Sequence, residues 1–329
     1  MSNVSIIIVN WNGYLDTIEC LDSLLKLSYQ DFSVVICDNG STDGSVAMIK
    51  AWAINRGLDV EQHDRESVLN GTACRKAKLI IIDNKMNLGF AGGNNIGIRY
   101  AMSHDNNKYL WLLNNDTVAD SKALSHLVER MEMQPHVGMC GSTIRFYQNP
   151  ERVQAFGGGY YLRWIGLPWH YKRFAKNQLL PDHRRAEARM NYVEGASMFV
   201  SRTFVEKVGL MCEEYFLYFE EADWAMRGKG LFQLAYEPES VVYHKVGASI
   251  GTSSNPLKKS YLCDYYSIRN RILFTKRYFA YALPSVYLFI FFELIMRLIL
   301  GKMDRVMMIL RIMISPVDIQ LDIASSKLK

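Results

Sequence analysis

No two of the six cysteines in this 329-residue chain stand in CxxC spacing. Cys20, Cys37, Cys74, Cys140, Cys212 and Cys263 are scattered, which argues against a zinc site. Several lie in apolar stretches and read as small buried residues, so a reducing setting is expected. The N-terminus lacks a basic segment followed by an apolar one and enters a strand at once; no signal peptide is expected, and a cytoplasmic location is. No uncharged run reaches the length of a bilayer span: Phe279–Phe292, fourteen residues without a charge, contains Pro284 and fits a buried or interfacial helix better. Internal repeats and low-complexity segments are also absent. The first strand is followed by Asn10-Trp11-Asn12-Gly13 where a dinucleotide site would carry GxGxxG, which excludes an NAD enzyme.

What is present is enough apolar material, 49%, for one large domain and an appendage. Charge is uneven. From Lys258 onward there are 12 Lys/Arg against 5 Asp/Glu, leaving 26 against 28 before it. A basic, apolar tail suggests an anionic membrane surface more than nucleic acid. Its bland readings are solvated helices, a cover for the sheet or a homodimer interface.

Strands and helices alternate through the first half. Val4–Val9, Phe32–Cys37, Leu79–Ile82 and Tyr109–Leu113 are β-branched or apolar runs that read as buried strands. Helices are expected over Tyr14–Leu27, over Ser45–Arg56 with Ser41 or Thr42 as cap, and from about Asn94 after a glycine-rich turn at Gly89–Asn95. This is the pattern of an α/β fold with a parallel, right-handed wound sheet. All four strands end in Asn or Asp, on the edge where such sheets bind ligands. After Pro135 the chain reads as mixed β with short helices. Tyr192–Ser201 is expected as one strand, Ala222–Lys229 as a helix, and Gln233–Tyr236 and Val241–His244 as two short strands.

The strand ends carry the chemistry. Asn114-Asn115-Asp116 closes the apolar run Tyr109–Leu113; a carboxylate and two amides there can meet a hard cation and the phosphates it carries. The bland reading is an Asx-rich turn. Asp38 ends the second strand, where a carboxylate can accept a nucleobase N–H or simply cap a helix. Glu220-Glu221-Ala222-Asp223 places three acids among aromatics at a helix start. Dipole complementation explains some of them; crowding and apolar burial would raise a carboxyl pKa, which suits a general base.

Taken in order, Ile6–Gly13, Val35–Gly44, the Asn-Leu-Gly-Phe-Ala-Gly-Gly-Asn-Asn core of Asn84–Asn95, Leu112–Asp116, Glu194–Met198 and Phe216–Arg227 resemble family 2 inverting glycosyltransferases of the GT-A fold. The resemblance is closest to the rhamnosyltransferase-like branch that builds bacterial surface polysaccharides such as O-antigen. It covers about Val4 to Gly251. It implies a GT-A domain over 1–256, with a nucleotide-sugar half to about 116 and an acceptor half from 117, and a helical tail over 257–329.

The resemblance also implies roles. Asp38 would accept uracil or thymine N3–H, with Asn10, Trp11, Asn87 and Asn115 around the nucleotide sugar. Asp116 would be the main ligand of Mg²⁺ or Mn²⁺. Asn114 stands where the family's motif is acidic, and offers a carbonyl without charge; His244 would contact metal or diphosphate. Glu221 would be the catalytic base, a position where relatives mostly carry Asp. Glu220 would crowd it, and Asp223 would bind sugar or acceptor hydroxyls, with Arg227 pairing to Asp223 or Glu220. The implied reaction uses a UDP- or dTDP-sugar and a lipid-linked saccharide acceptor at the inner face of the membrane, where the tail would hold the protein peripherally. The rival reading is a non-catalytic nucleotide-sugar or carbohydrate-binding protein on the same scaffold. A nucleotidyltransferase would need a basic, glycine-rich phosphate loop after the first strand, which is missing.

Overall fold

A computed structural model of the chain describes residues 3–73, 77–104, 106–172, 182–245 and 260–315. The first half runs β1 (Asn3–Asn10), α1 (Tyr14–Leu24), β2 (Phe32–Asp38), α2 (Ser45–Asn55), β3 (Val60–Asp64), α3 (Arg65–Leu69), β4 (Leu79–Asp83), α4 (Gly89–Met102) and β5 (Asn107–Leu113). Then come β6 (Thr117–Ala119), α5 (Ala123–Met133), β7 (Val137–Phe146), β8 (Asn149–Phe156), β9 (Gly158–Leu162), β10 (Leu167–His170) and α6 (His183–Glu187). The chain continues with β11 (Tyr192–Val193), β12 (Ser197–Ser201), α7 (Arg202–Val208), α8 (Glu220–Gly228), β13 (Gln233–His244), α9 (Tyr261–Tyr278), α10 (Leu283–Ile299) and α11 (Met303–Ile314).

One mixed sheet organises these elements, in the order β10-β9-β8-β7-β12-β5-β1-β2-β4-β3. The pairs β1–β2, β1–β5, β2–β4 and β3–β4 are parallel. Because their register is continuous, Asn10 lies opposite Asp38, and Asp38 opposite Asp83. The polar strand ends thus share one edge. Alternate residues feed two cores. Ile7, Val35, Ile80 and Leu112 face α4 and α7–α8, whereas Ile6, Ile8, Val34 and Trp111 face α1, α2 and α5.

Several elements differ from the expectation. The glycine run 89–97 lies inside α4, not before it. The reason is close packing: a Cβ at Gly97 would stand 2.5 Å from Ile7 Cγ2, so only glycine lets α4 seat on β1 and β2. Gly44, not Ser41 or Thr42, precedes α2, because Ser41 is used on Asp38. Strand β3 escapes the pattern reading, since Val60-Glu61-Gln62-His63-Asp64 is a half-exposed edge strand with little apolar content. Tyr192–Ser201 is two strands: β11 pairs with β9, and β12 pairs with β5 and β7, with a bend at Glu194–Ala196 between them. Conversely, β13 is continuous along β7, with a register shift between Glu237 and Val241. Pro284 opens α10 at its first turn, where its missing N–H costs nothing.

The expected boundary at 256 falls outside the described residues. The chain from residue 260 onward is no loose appendage: α9 packs Leu273 and Phe274 into the main core, and α10 and α11 pack in turn on α9.

Candidate functional site

Asp38 sits at the end of β2, 1% exposed, inside a bracket of neighbours. Asn10 Nδ2 and Ser41 Oγ both donate to Oδ2 at 2.7 Å, and the Ser41 backbone N–H donates to Oδ1 at 2.8 Å. Oδ1 therefore keeps one lone pair for an incoming N–H. An open cavity of about 380 Å³ lies here, lined by Asp38, Ser41, Ser45, Lys50, Gln62 and Asp83. Asn10 is fully buried and has both ends occupied: its Oδ1 accepts from Thr17 Oγ1 at 2.7 Å. It orients Asp38 and has no free amide for a ligand, which corrects its expected contact role. Asn115 donates to Thr17 Oγ1 at 3.1 Å and ties the turn after β5 to α1. Asn87 Oδ1 accepts the Gly89 N–H at 2.9 Å and starts α4. Both side chains brace the crevice wall. Trp11 remains half-buried next to Asn10.

The second cluster forms where β6 pairs antiparallel with β13, which sets His244 opposite Thr117. His244 Nε2 lies 3.2 Å from Asp116 Oδ1, and its Nδ1 lies 2.9 Å from Gln154 Oε1. Burial works against a charged imidazole, but the hydrogen bond and charge of Asp116, with the charge of Glu194, outweigh it and hold His244 above its ordinary value. Asn114 is half-buried beside them, and its backbone N–H donates to Ala196 O at 3.1 Å. The sheet thus brings Asp116, His244 and Asn114 together. Among the described residues there is no group of three His, Cys, Asp or Glu side chains that would cage a metal by itself. One carboxylate, an imidazole and an amide fit a hexacoordinate Mg²⁺ or Mn²⁺ that arrives with phosphate oxygens and water.

The third cluster is the acid loop before α8. Phe216, Tyr218 and Phe219 all have positive φ, at 61°, 71° and 75°, which side-chain-bearing residues rarely adopt. The surroundings impose that shape. Asn270 of α9, fully buried, points its Nδ2 at the carbonyls of Tyr215, Leu217 and Tyr218 at 2.7, 2.8 and 3.1 Å. Arg269 Nη1 donates to Glu214 O at 2.9 Å, and the Phe90 N–H donates to Phe216 O at 2.7 Å. Gly89, at φ +71°, is required at that last contact: a Cβ would stand 2.3 Å from Phe216 O.

The loop delivers Glu220 and Glu221 to the first turn of α8. Burial pushes the Glu220 carboxyl up to about 7, and its Oε2 has no hydrogen-bond partner among the described residues. Burial first, then the charges of Glu220 and Glu194, raise Glu221 well above the ordinary carboxylate range. Glu194 belongs to the bend between β11 and β12, where His170 Nε2 meets its Oε2 at 2.7 Å. Since Ala196 is bonded to Asn114, this bend lies between the acid loop and the Asp116 turn.

Asp223 departs from its expected role. It is fully buried, and its oxygens accept from Arg227 Nε at 2.8 Å, Arg277 Nη1 at 2.9 Å and Tyr278 OH at 2.7 Å. It anchors α8 to α9 and cannot reach a sugar hydroxyl. The pairing of Arg227 is with Asp223, not Glu220. Pattern reading missed Asn270, Glu194 and His170 as site components. Glu194 lay inside a quoted motif without a role assigned to it, and Asn270 stands between Arg269 and Arg271 in a mixed polar and apolar helix; the pairing partners are too far away in sequence to be seen.

Residues 5–186, more than half of the chain, match the family described as Glycosyl transferase family 2. The low-salt glycan biosynthesis hexosyltransferase Agl10 of Haloferax volcanii is 24% identical over 156 residues, 47% of this chain and 48% of that protein. An uncharacterized glycosyltransferase of Haemophilus influenzae is 23% identical over 150 residues, 45% of this chain and 38% of that one. The chain thus spans about half or less of the length of the curated relatives it matches. Among solved structures, the mannosyltransferase PcManGT from Pyrobaculum calidifontis, in complex with GDP-Man and Mn²⁺, superposes with a TM-score of 0.54 at 13% identity, covering 88% of this chain and 74% of that one. TarS 1-349 from S. aureus in complex with UDP-GlcNAc gives a TM-score of 0.50 at 12% identity, covering 87% and 71%. At such identities the likeness speaks to the fold, which is the GT-A arrangement that the motif resemblance implies.

Proposed function

This protein belongs to glycosyl transferase family 2, and from that premise we propose that it transfers a sugar with inversion from a nucleotide sugar to an acceptor hydroxyl, with Glu221 as the base. The observation that carries the reading is the acid loop: a carboxylate with a raised pKa, held by strained backbone within reach of the Glu194 charge. In an inverting transfer the acceptor oxygen attacks the anomeric carbon from the face opposite the leaving nucleotide. Its proton passes to a single carboxylate, as in inverting glycosidases. Glu221 takes that proton, and a base is most effective when its pKa lies near the working pH.

Asp38 accepts the base N–H with its remaining Oδ1 lone pair, so the donor is a UDP- or dTDP-sugar. Asp116 and His244, with the Asn114 amide beside them, would hold a Mg²⁺ or Mn²⁺ arriving with the diphosphate. When bound, such a cation neutralises charge on the departing diphosphate. PcManGT, which binds GDP-Man and Mn²⁺, and TarS, which binds UDP-GlcNAc, lend support to a metal and nucleotide-sugar chemistry on this fold. The sugar is rhamnose and the acceptor a lipid-linked saccharide of surface-polysaccharide synthesis, at the inner face of the membrane; these finer assignments rest on the motif resemblance and on the apolar tail.

The test is release of nucleoside diphosphate from a panel of UDP-, dTDP- and GDP-sugars with Mg²⁺ or Mn²⁺ and a lipid-linked acceptor, with the product anomer read by NMR. Turnover with one donor, inverted product, and a loss of roughly 10²–10⁴-fold in Glu221→Gln are expected. A retained anomeric configuration, or full turnover in Glu221→Gln, refutes the assignment. Tight nucleotide-sugar binding with no turnover on any acceptor would point to the binding-protein reading.

A further inference from the structure

The last two described helices carry outward apolar stripes. On α10, Val286, Ile290, Leu294 and Arg297 turn inward. Leu288, Phe291, Phe292, Met296 and Ile299 turn outward and are 48–73% exposed. Their spacing of three, one, four and three positions keeps them on one side of a 3.6-residue helix. On α11, Met303, Met307, Leu310 and Ile314 repeat the pattern at 40–85% exposure, while Val306, Ile309 and Ile312 pack inward. The two helices pack side by side, so the stripes adjoin.

This face does not cross a membrane. Ala280–Ile299 has 20 residues and a mean hydropathy of 1.8, enough for a span by composition. Its inner side, however, is ion-paired to α9. Arg271 Nη1 lies 3.0 Å from Glu293 Oε1, and Arg297 Nη2 lies 2.8 Å from Asp264 Oδ1. The side chains of Arg271, Arg297 and Asp264 are at most 6% exposed. Spanning would either drag these pairs and α9 into hydrocarbon or break them, and both are costly. Only the outward side is available.

The rim has the chemistry of an interface with anionic lipid. Lys302 occupies the turn between the helices, and Arg311 is exposed beside Met307 and Leu310. At the other end, Tyr281 and Trp164 are 57% and 56% exposed. Their rings meet edge to face at 5.5 Å, and Arg163 Nη1 donates to Tyr281 OH at 3.2 Å. Aromatic rings with a polar edge and cations on apolar stems suit the headgroup level.

We infer that the outward faces of α10 and α11, continued by Tyr281 and Trp164, lie in the plane of an anionic lipid surface. The inference rests on the lipid-linked acceptor proposed above and names the surface that presents it. Trp164 is on the β9–β10 hairpin whose far end is His170, the partner of Glu194. The lipid surface and the acid loop are thus joined by one short strand, roughly 20 Å of chain.

The experiment is flotation of the full chain with vesicles of phosphatidylcholine alone and of phosphatidylcholine with phosphatidylglycerol. Wild type is expected to float with the anionic vesicles, about tenfold less with the neutral ones, and to be released by alkaline carbonate. The Phe291→Ser/Phe292→Ser pair is expected to bind at least about tenfold more weakly, and Leu231→Ser, an exposed position off this face, to bind like wild type. The altered side chains already stand in solvent, so the thermal midpoint should stay put. Absent flotation of wild type, flotation of the double variant equal to wild type, or resistance to carbonate each overturns the inference. A dimer that the double variant splits without changing flotation overturns it too, in favour of a protein interface. Donor turnover on the same samples separates the two readings: turnover without flotation sinks the docking face alone, and flotation without turnover sinks the glycosyl transfer alone.

Discussion

Asn270→Ala removes both N–H donors that hold the acid loop from behind. Two N–H groups serve the carbonyls of Tyr215, Leu217 and Tyr218, so truncation leaves at least two buried carbonyls unmet. Each unmet group costs about 1–3 kcal/mol. The three positive-φ residues store about 1–3 kcal/mol each, which the loop releases by relaxing. Relaxation limits the stability loss to about 3 kcal/mol, which for a chain of this size lowers Tm by roughly 4 °C. The same relaxation moves Glu221, and a misplacement on the order of 1 Å costs about 100-fold in rate. The expected result is a kcat down about 100-fold with donor KM nearly unchanged, because the Asp38 cavity is lined from β2, α2, β3 and β4, none of which Asn270 touches. Asn270→Asp should be worse than alanine, since a carboxylate would face three carbonyl oxygens. Differential scanning fluorimetry and donor turnover read both effects. An alanine variant with wild-type Tm and wild-type kcat would show that the loop holds its own shape and that the argument is wrong.

Other perturbations probe the same geometry. Glu194→Gln removes a negative charge that raises Glu221, so the rising limb of kcat against pH should move to lower pH; a shift to higher pH contradicts the placement of Glu194. The Glu220 carboxyl is raised from 4.5 to about 7 by burial, so the folded state holds its proton more tightly than the unfolded one and loses stability as pH climbs from about 4.5 past 7. Glu220→Gln should therefore raise Tm at pH 8, by up to about 3 kcal/mol in stability, and leave it nearly unchanged at pH 4; equal effects at both values would refute the burial argument. Gly89→Ala should cost about 1–2 kcal/mol for its positive φ, with more for the Phe216 O contact, measurable by urea unfolding. Asp116→Asn should raise the Mn²⁺ concentration needed for half-maximal turnover at least about tenfold, whereas nucleotide binding in the absence of metal should change little.

Much of the N-terminal half was legible because its signals are local. A buried parallel strand is a short apolar run, and its polar end marks the sheet edge, so Asp38 and Asp116 could be placed without any partner in view. His244 was singled out by the resemblance, from its place after the other motifs, and pairing with β6 explains why it reaches Asp116. The failures have physical causes as well. Asn10 and Asp223 carry the right chemistry for ligands, but a hydrogen bond donated to Asp38, 28 positions away, and one accepted from Arg277, 54 positions away, occupy them, and no local pattern shows that. Glycines in α4 looked like a loop because helix propensity was weighed without the sheet that demands close approach. β3 was invisible because an exposed edge strand has no apolar alternation to betray it.

The brace supplied by α9 also bears on how the chain is made. Asn270 and Arg277 reach back some fifty-five residues to the acid loop and to Asp223. A nascent chain that has emerged only through His244 already owns the sheet, the Asp38 bracket and the Asp116 turn. It does not yet own the groups that fix Glu221. At about 5–20 residues per second, nucleotide-sugar affinity would mature seconds before the power to react, and the growing polypeptide would hold a donor it cannot yet spend.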